Sequence, residues 1–357
     1  MWLARCRENG WLEPHAAVLA LEDEMRGIPL HQHAPPEGDE CWKGHRSVWE
    51  TPILKHQEQW YEKLARLLKI EDDDFWPTAF EIQGDVLMIK FEPHHLPYRH
   101  EIGQALLNHF RHVNAVCEDE GVHGEFRVRK LRILNSNKSS SSLETTIKEH
   151  GELIKVDPSK AYFSSRLSTE RMRTREALMA LRERLGKPLI IADPYAGVGP
   201  AFAPLLSTPS LVGGILASDL NPDAVQYLRH NLDRWRSKYS APSDLTPFIV
   251  ECKDARQWQH DQALCQRFNA ILVNLPHESY DHLHDLIPLL DFTQPSLMRG
   301  WAIRPKAEME NEEHYLSTIF SNVPAPIESL QVVEVKGYSA TMTYLSFDCW
   351  FGVETKQ

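Results

Sequence analysis

The sequence predicts an α/β protein. A doubly wound parallel sheet occupies residues 157–357, with a small α+β domain over 74–156 and an N-terminal unit over 1–73. Three observations carry this reading. Short apolar runs of buried-strand type alternate with helical segments from residue 157 on. The first of those runs ends in a turn with two glycines. Acidic residues follow the second and third runs, at the same end of the expected sheet.

The N-terminal unit has helical apolar spacing over Leu12 to Arg26 and Ile53 to Leu68. Leu30 to Gly44, polar and proline-bearing, reads as a loop between them. His31 and His33 are possible metal ligands. No cysteine or carboxylate stands at a ligand spacing beside them, so the stretch reads as surface and no metal is expected. In the next domain, Phe80–Gly84 and Val86–Phe91 read as a hairpin turning at Gly84-Asp85. Tyr98 to Arg111 predicts a helix. Phe126–Leu134 (FRVRKLRIL) alternates basic and apolar residues, as a half-exposed strand does. Asn135 to Ser142 reads as a polar loop, and Thr146 to Val156 as extended chain.

Beyond residue 157 the strands are Pro188–Asp193, Gly213–Asp219, Pro247–Cys252 and Asn269–Asn274. Helical segments lie near 170–185, 222–237 and 257–266. Leu330–Tyr338 and Thr343–Gly352, joined by a short turn, predict a late antiparallel pair.

Composition narrows the function. At 357 residues the chain is too long for one ordinary domain. No run of 18 apolar residues is present, so no membrane span is expected. The first ten residues carry Arg5, Arg7 and Glu8 without an apolar core, unlike a secretory signal. The six cysteines are scattered without a CxxC pair and read as reduced thiols, in keeping with a cytoplasmic location. A net charge of −11 argues against nucleic acid as a partner, but the basic residues are segregated. Arg127, Arg129, Lys130, Arg132 and Lys138 cluster in one stretch, and seven basic residues face three acids between Arg166 and Lys187. These stretches are either solvated faces or phosphate-binding patches.

The turn Asp193-Pro-Tyr195-Ala-Gly197-Val-Gly199-Pro200 permits a tight strand-to-helix connection and close approach of a ligand to backbone. Asp219, ending the second strand, can accept both hydroxyls of a ribose, and Asp254 can meet an adenine edge. Each aspartate could equally cap a helix or a turn. No GxxxxGK[ST] is present and the glycine spacing is not GxGxxG, so the loop does not read as a phosphate cradle. A cofactor with adenosine and no pyrophosphate fits: S-adenosylmethionine.

With these motifs in hand, residues 74–357 resemble the archaeal and eukaryotic tRNA (guanine-37-N1)-methyltransferase family. Lys148-Glu-His-Gly151 is similar to that family's K-E-N/H-G turn. Tyr162-Phe-Ser-Ser-Arg166-Leu-Ser-Thr-Glu170-Arg171 resembles its Y-[WF]-[NS]-x-R-L-x-x-E-R signature. Asp193 to Pro200 resembles D-x-F-A-G-V-G-P, with Tyr195 in place of Phe. Ser218 to Pro222, Asn274-Leu-Pro276 and Val335 to Ser339 resemble three further motifs in order. The chain departs from the pattern at Pro194, at Arg132 with Asn135 to Asn137, and at His277-Glu278, where small residues are commoner. The resemblance implies a Rossmann-like class I methyltransferase domain carrying the antiparallel terminal hairpin. It implies a cofactor site at Tyr162, Arg166, Asp193, Tyr195, Ala196, Gly197, Val198, Gly199, Pro200, Asp219, Leu220, Asn221, Asp254, Ala255 and Asn274. It implies a monomer acting on tRNA, at the anticodon stem-loop and, through residues 1–73, the outer corner.

The target chemistry assigns further roles. Ring nitrogen 1 of neutral guanine carries a proton, and charge builds on the 6-oxygen as that proton leaves. The reaction therefore needs a general base and a donor or cation for the oxygen. The resemblance gives Glu170 as base, Arg127 as the 6-oxygen contact and Asn274 as the group holding the base edge. Plainer readings stand beside these: Glu170 capping or salt-bridging in its helix, Arg127 on a phosphate, Asn274 closing a turn. Two other functions compete. One is a wybutosine-pathway transferase on the same nucleotide, passing an aminocarboxypropyl group or methylating a tricyclic derivative. Arg166 and Asn274-Leu-Pro276 favour methyl transfer over the former. The other is a non-catalytic RNA-binding protein, against which the retained Glu170, Asp219, Asp254 and Asn274 argue together.

Overall fold

The structure, a computed structural model, describes residues 2–13, 16–21, 25–50, 59–239 and 246–353. It divides into two compact units, Met1–Lys69 and Ile70–Gln357.

The first unit holds helix α1 (Trp2–Glu8), the two-residue strands β1 (Leu19–Ala20) and β2 (Arg26–Gly27), and helix α2 (Glu62–Leu68). The described residues of Leu12–Arg26 do not form the expected helix. Leu12 bridges Leu30 and β1 pairs antiparallel with β2, so these backbone groups are satisfied across the segment instead of along a helix. Of the helix expected over Ile53–Leu68, residues 53–58 lie outside the described residues, and α2 covers the end.

The second unit begins with the hairpin β3 (Phe80–Gln83) and β4 (Val86–Ile89), turning at Gly84, whose φ is +57°. Helix α3 (Arg99–His109) follows, burying Ile102, Leu106 and Leu107, then β5 (Ala115–His123) and β6 (Val128–Ser136). These strands form one sheet in the order β3-β4-β5-β6. Strand β5 is absent from the sequence reading, because its apolar start (Ala115–Cys117) is short and runs straight into Glu118, Asp119 and Glu120. The loop expected from Asn135 starts two residues later, since β6 runs on to Ser136. A separate hairpin, β7 (Thr145–Glu149) and β8 (Glu152–Val156), leads into the large domain.

That domain contains α4 (Ser168–Leu185), β9 (Leu189–Asp193), α5 (Phe202–Leu206), β10 (Val212–Ser218), α6 (Pro222–Tyr239), β11 (Phe248–Glu251), β12 (Ala270–Val273), α7 (Ser279–Leu286), β13 (Ser296–Pro305), α8 (Glu312–Ile319), β14 (Ile327–Gly337) and β15 (Met342–Phe351). The sheet order is β11-β10-β9-β12-β13-β15-β14; the first five strands run parallel, β15 alone is reversed, and β14 pairs antiparallel with β15 and so runs with the first five. Residues of α4, α5 and α6, among them Leu178, Phe202 and Trp235, build the core on one face. Trp258 with residues of α7 and α8, among them Leu283 and Leu316, builds it on the other. The helix expected over 257–266 is only a 3-10 turn, Ala255–His260, followed by a further turn that carries Gln266 at φ +53°. Strand β9 lies between β10 and β12, so the strand order reverses there and a crevice opens at the carboxyl ends.

Candidate active site

The crevice is floored by the turn after β9. Gly197 and Gly199 have φ of +56° and +81°. A Cβ on Gly199 would stand 2.6 Å from Leu228, so the turn packs onto α6 only without a side chain. Above Gly197 the nearest atom to a built Cβ is the Tyr162 carbonyl oxygen at 3.9 Å, so the segment before α4 overhangs the turn. Asp219 ties this together: Oδ2 accepts from the Gly197 amide and Oδ1 from the Asn221 amide, both at 2.9 Å. Each oxygen keeps a lone pair. Asn221 caps α6 through Oδ1 and donates to the Lys160 carbonyl at 2.7 Å.

Asp193 is buried, and the Tyr195 amide donates to its Oδ1 at 3.2 Å. Burial pushes its carboxyl up to about 7; the Tyr195 amide opposes the rise and the Asp219 charge adds to it. Asp219 is raised as well, by burial. Neither carboxylate has an ion pair among the described residues. Asp254 differs: Arg256 bonds it through its side chain and backbone and holds its carboxyl below the usual range. Leu220 is exposed beside the crevice, while Val198 and Ala255 lie in the core, so only their backbones can meet a ligand. The Tyr195 hydroxyl, which the expected Phe would lack, meets His282 Nδ1 at 2.6 Å.

The cleft continues past Asp193, Tyr195, Ala196 and Pro200 to Asn274, Glu170, Trp301 and Tyr344. Asn274 is exposed at the end of β12, and its amide has no partner among the described residues. Glu170, in the first turn of α4, is 3% exposed. Its Oε1 accepts from Arg173 at 2.6 Å; its Oε2 accepts from Trp301 Nε1 at 3.1 Å and Arg299 at 3.2 Å. Arg299 also holds both oxygens of Asp348, at 2.5 and 2.6 Å, and Thr174 Oγ1 at 3.0 Å. Glu170 is thus a salt-bridging residue and a cleft residue at once. The neighbouring Arg171 pairs bidentately with Glu149 of β7, and Ser168 meets His150 at 2.6 Å. The two sequence motifs Lys148–Gly151 and Tyr162–Arg171 are therefore locked to each other.

Tyr162 is 53% exposed at the rim. Arg166 is exposed there too, and its charge, after burial, helps hold the Lys336 ammonium below its usual value. Arg127 is exposed, in the turn between β5 and β6, with φ +50°. It faces the loop after Asn274: burial first and the Arg127 charge second lower the pKa of His277, whose ring lies edge-on to Tyr338, 5.7 Å between centroids. The rest of the basic β6 stretch is neutralised. Arg129 pairs with Glu81 and Asp119, Lys130 and Arg132 with Glu120, and Lys138 with Asp85.

Sequence reasoning missed Arg299, Trp301, Tyr344 and Asp348, which complete the wall around Glu170. A signal existed: Arg299 is a lone charge in the apolar run Ser296–Ala302, and a charge in a buried strand requires a partner. Gly300 between Arg299 and Trp301 has a cause of its own, for a Cβ there would stand 2.3 Å from the Phe347 ring.

Comparison with known proteins agrees with this geometry. The TRM5/TYW2 methyltransferase domain model matches residues 145–291, and the TYW2 N-terminal domain model matches 61–136. Residues 145–291 are thus similar to a TRM5/TYW2 methyltransferase domain. Among curated relatives, tRNA (guanine(37)-N(1))-methyltransferase Trm5b of Pyrococcus abyssi is 30% identical over 219 residues, covering 61% of this chain and 58% of that protein. The enzyme of the same name from Aedes aegypti is 28% identical over 70% of this chain and 43% of its own. The chain thus spans about half the length of these curated relatives. The crystal structure of P. abyssi Trm5b superposes with a TM-score of 0.67 at 22% identity, over 98% of this chain and 95% of that one. P. horikoshii TYW2, solved in complex with MeSAdo, gives 0.64 at 17% identity over 81% and 98%. At these identities the superpositions establish a shared fold. No helix among the described residues is long and apolar enough to cross a membrane.

Proposed function

We propose that the protein methylates ring nitrogen 1 of the guanosine 3′ of the tRNA anticodon, with S-adenosylmethionine as donor. The observation that carries the reading is one cleft that joins two different carboxylate sites: Asp193, beside Asp219 and without a cation among the described residues, at one end, and Glu170 with Asn274 at the other.

The cofactor fits the residues present. Its methionine part carries positive charge, and the buried Asp193 and half-buried Asp219 offer negative charge that no side chain among the described residues neutralises. Gly197 lets backbone approach closely, and Asp219 has lone pairs for a ribose. When bound, the cofactor supplies an electrophilic methyl group. The chain's own residues do the rest. Tyr162 and Tyr195 flank the cofactor's place. Asn274 offers an unpaired amide to the purine edge, Arg127 a cation to the 6-oxygen, and Glu170 Oε1 accepts the proton from nitrogen 1. Arg173, half exposed on that same oxygen, yields to the entering base.

The partner is tRNA, bound at the anticodon stem-loop by the rim that Arg127, Arg166, Lys336 and Tyr162 form. Residues 1–73 contact the outer corner, and the protein acts as a cytoplasmic monomer. The match of a TYW2 N-terminal domain favours a second reading, aminocarboxypropyl transfer to the same nucleotide. Arg166 and Asn274-Leu-Pro276 favour the first. Incubation with a transcript bearing guanosine at position 37, followed by nucleoside mass analysis, tests the proposal. A nucleoside one methyl heavier is expected; an unmodified transcript, or the same yield from a transcript with adenosine there, overturns it.

A further inference from the structure

We propose that Asp348 is the standing counter-ion of Arg299 that allows Glu170 to take up and hold a proton, which makes Asp348 a positioning residue for the reaction. The inference rests on the reading of Glu170 as base. It starts from a count of charges in one buried cluster. Glu170, Arg299 and Trp301 are all at most 6% exposed, and the Asp348 side chain is largely covered. Arg299 divides its donors: Nη2 goes to Glu170 Oε2 at 3.2 Å, and Nη1 goes to both oxygens of Asp348 at 2.5 and 2.6 Å. The shorter contacts are to Asp348.

A base that becomes neutral in such a place would strip a buried guanidinium of its partner, which is costly. Here it does not. When the N1–H bond of the guanine breaks, the proton passes to Glu170 Oε1 and the electron pair left on nitrogen takes the methyl group, whose bond to the donor's sulfur breaks with its electron pair staying on sulfur. Arg299 stays paired to Asp348 throughout. Trp301 Nε1 and Arg299 keep Oε2 occupied, so Oε1, held only by the half-exposed Arg173, is the oxygen free to exchange partners. The carboxylate is restored when the proton leaves to water.

The charged and titratable groups facing the cluster are few. Helix α4 brings Arg171 and Arg173, β13 brings Arg299, and β15 brings Tyr344 and Asp348; Tyr162 faces Tyr344 from the rim. Arg171 is occupied by Glu149 of β7. The two carboxyls feel each other: burial pushes Asp348 up, Arg299 pulls it back, and Glu170 adds to the rise.

The test is the pH dependence of single-turnover methylation, with cofactor and tRNA saturating. Asp348→Asn keeps the shape and removes the charge, so Arg299 leans wholly on Glu170. The acidic limb of the profile should move down by about one pH unit, and the plateau rate should fall, by at most about tenfold, as the base weakens. Asp348→Glu, which keeps the charge, should retain the wild-type limb. Should Asp348→Asn prove too unstable to purify, Asp348→Ser is read in the same way. A lowered plateau with an unmoved limb would mean that Asp348 only supports the sheet, and overturns the proposal. Glu170→Gln run beside it separates the two readings. If that variant is slow while Asp348→Asn keeps the wild-type limb, only the Asp348 inference falls; if Glu170→Gln is as fast as wild type, both fall.

Discussion

The two ends of the cleft treat carboxylates in opposite ways. At the glycine turn, Asp193 is buried and Asp219 half-buried, with backbone amides as partners and no cation among the described residues. At the other end, β13 delivers Arg299 to Glu170 and Asp348, and Arg173 adds a second cation. Buried charge without a counter-charge is unstable until something positive arrives. Buried charge in a balanced cluster is stable on its own and can exchange one proton without leaving a partner stranded. The first arrangement suits a cationic ligand and the second suits proton transfer.

The comparison breaks most sharply at Glu170. Glu170→Gln keeps the shape and removes the proton acceptor, so single-turnover methylation at neutral pH should fall at least about a hundredfold and recover in part as pH rises. Cofactor and tRNA affinity should stay near wild type. A wild-type rate and profile would reduce Glu170 to a helix salt bridge. At the other end, Asp219→Ala removes the side-chain anchor of Gly197 and a charged acceptor for ribose. Cofactor affinity measured by calorimetry should drop by about 3 kcal/mol, roughly a hundredfold; an unchanged dissociation constant would refute the assignment.

Asp193 gives a subtler test. Its carboxyl is raised from 3.8 to about 7 in the folded chain. Its contribution to stability is therefore fullest below about pH 4 and is lost as pH rises through 7, a loss of at most about 4 kcal/mol. Asp193→Asn should accordingly raise the melting temperature of the cofactor-free protein at pH 8 and change it little at pH 4. Equal shifts at both pH values would show that no uncompensated charge resides there.

The smallest effects belong to the rim. Arg127→Ala and Arg166→Ala should each lower the slope of log tRNA affinity against log salt by about 1. Lys130→Ala, whose ammonium already pairs with Glu120, should leave the slope unchanged.

That last prediction marks where the sequence misleads. The basic residues of β6 looked segregated because their acidic partners sit on β5, whose apolar start was too short to read as a strand. Periodicity exposed β9, β10 and β12 and hence the crevice, since each is a run of apolar residues ending at a polar one: Asp193, Asp219 and Asn274. The motifs exposed Glu170, Asn274 and Asp219 one by one. What joins Glu170 to Asp348 was not legible, because the pairing spans 178 residues of sequence and depends on β13 lying between β12 and β15. In the N-terminal unit the apolar spacing after Leu12 suggested a helix, yet the backbone is satisfied by strand pairing. A short amphipathic segment does not reveal which partner it has.

The most direct test of methyl transfer is one reaction with tRNA transcript and two preparations of S-adenosylmethionine, one labelled in the methyl group and one in the carboxyl carbon. The account predicts that the methyl label alone enters the tRNA and co-migrates with 1-methylguanosine after digestion. Carboxyl label in the tRNA would instead identify aminocarboxypropyl transfer and contradict the account.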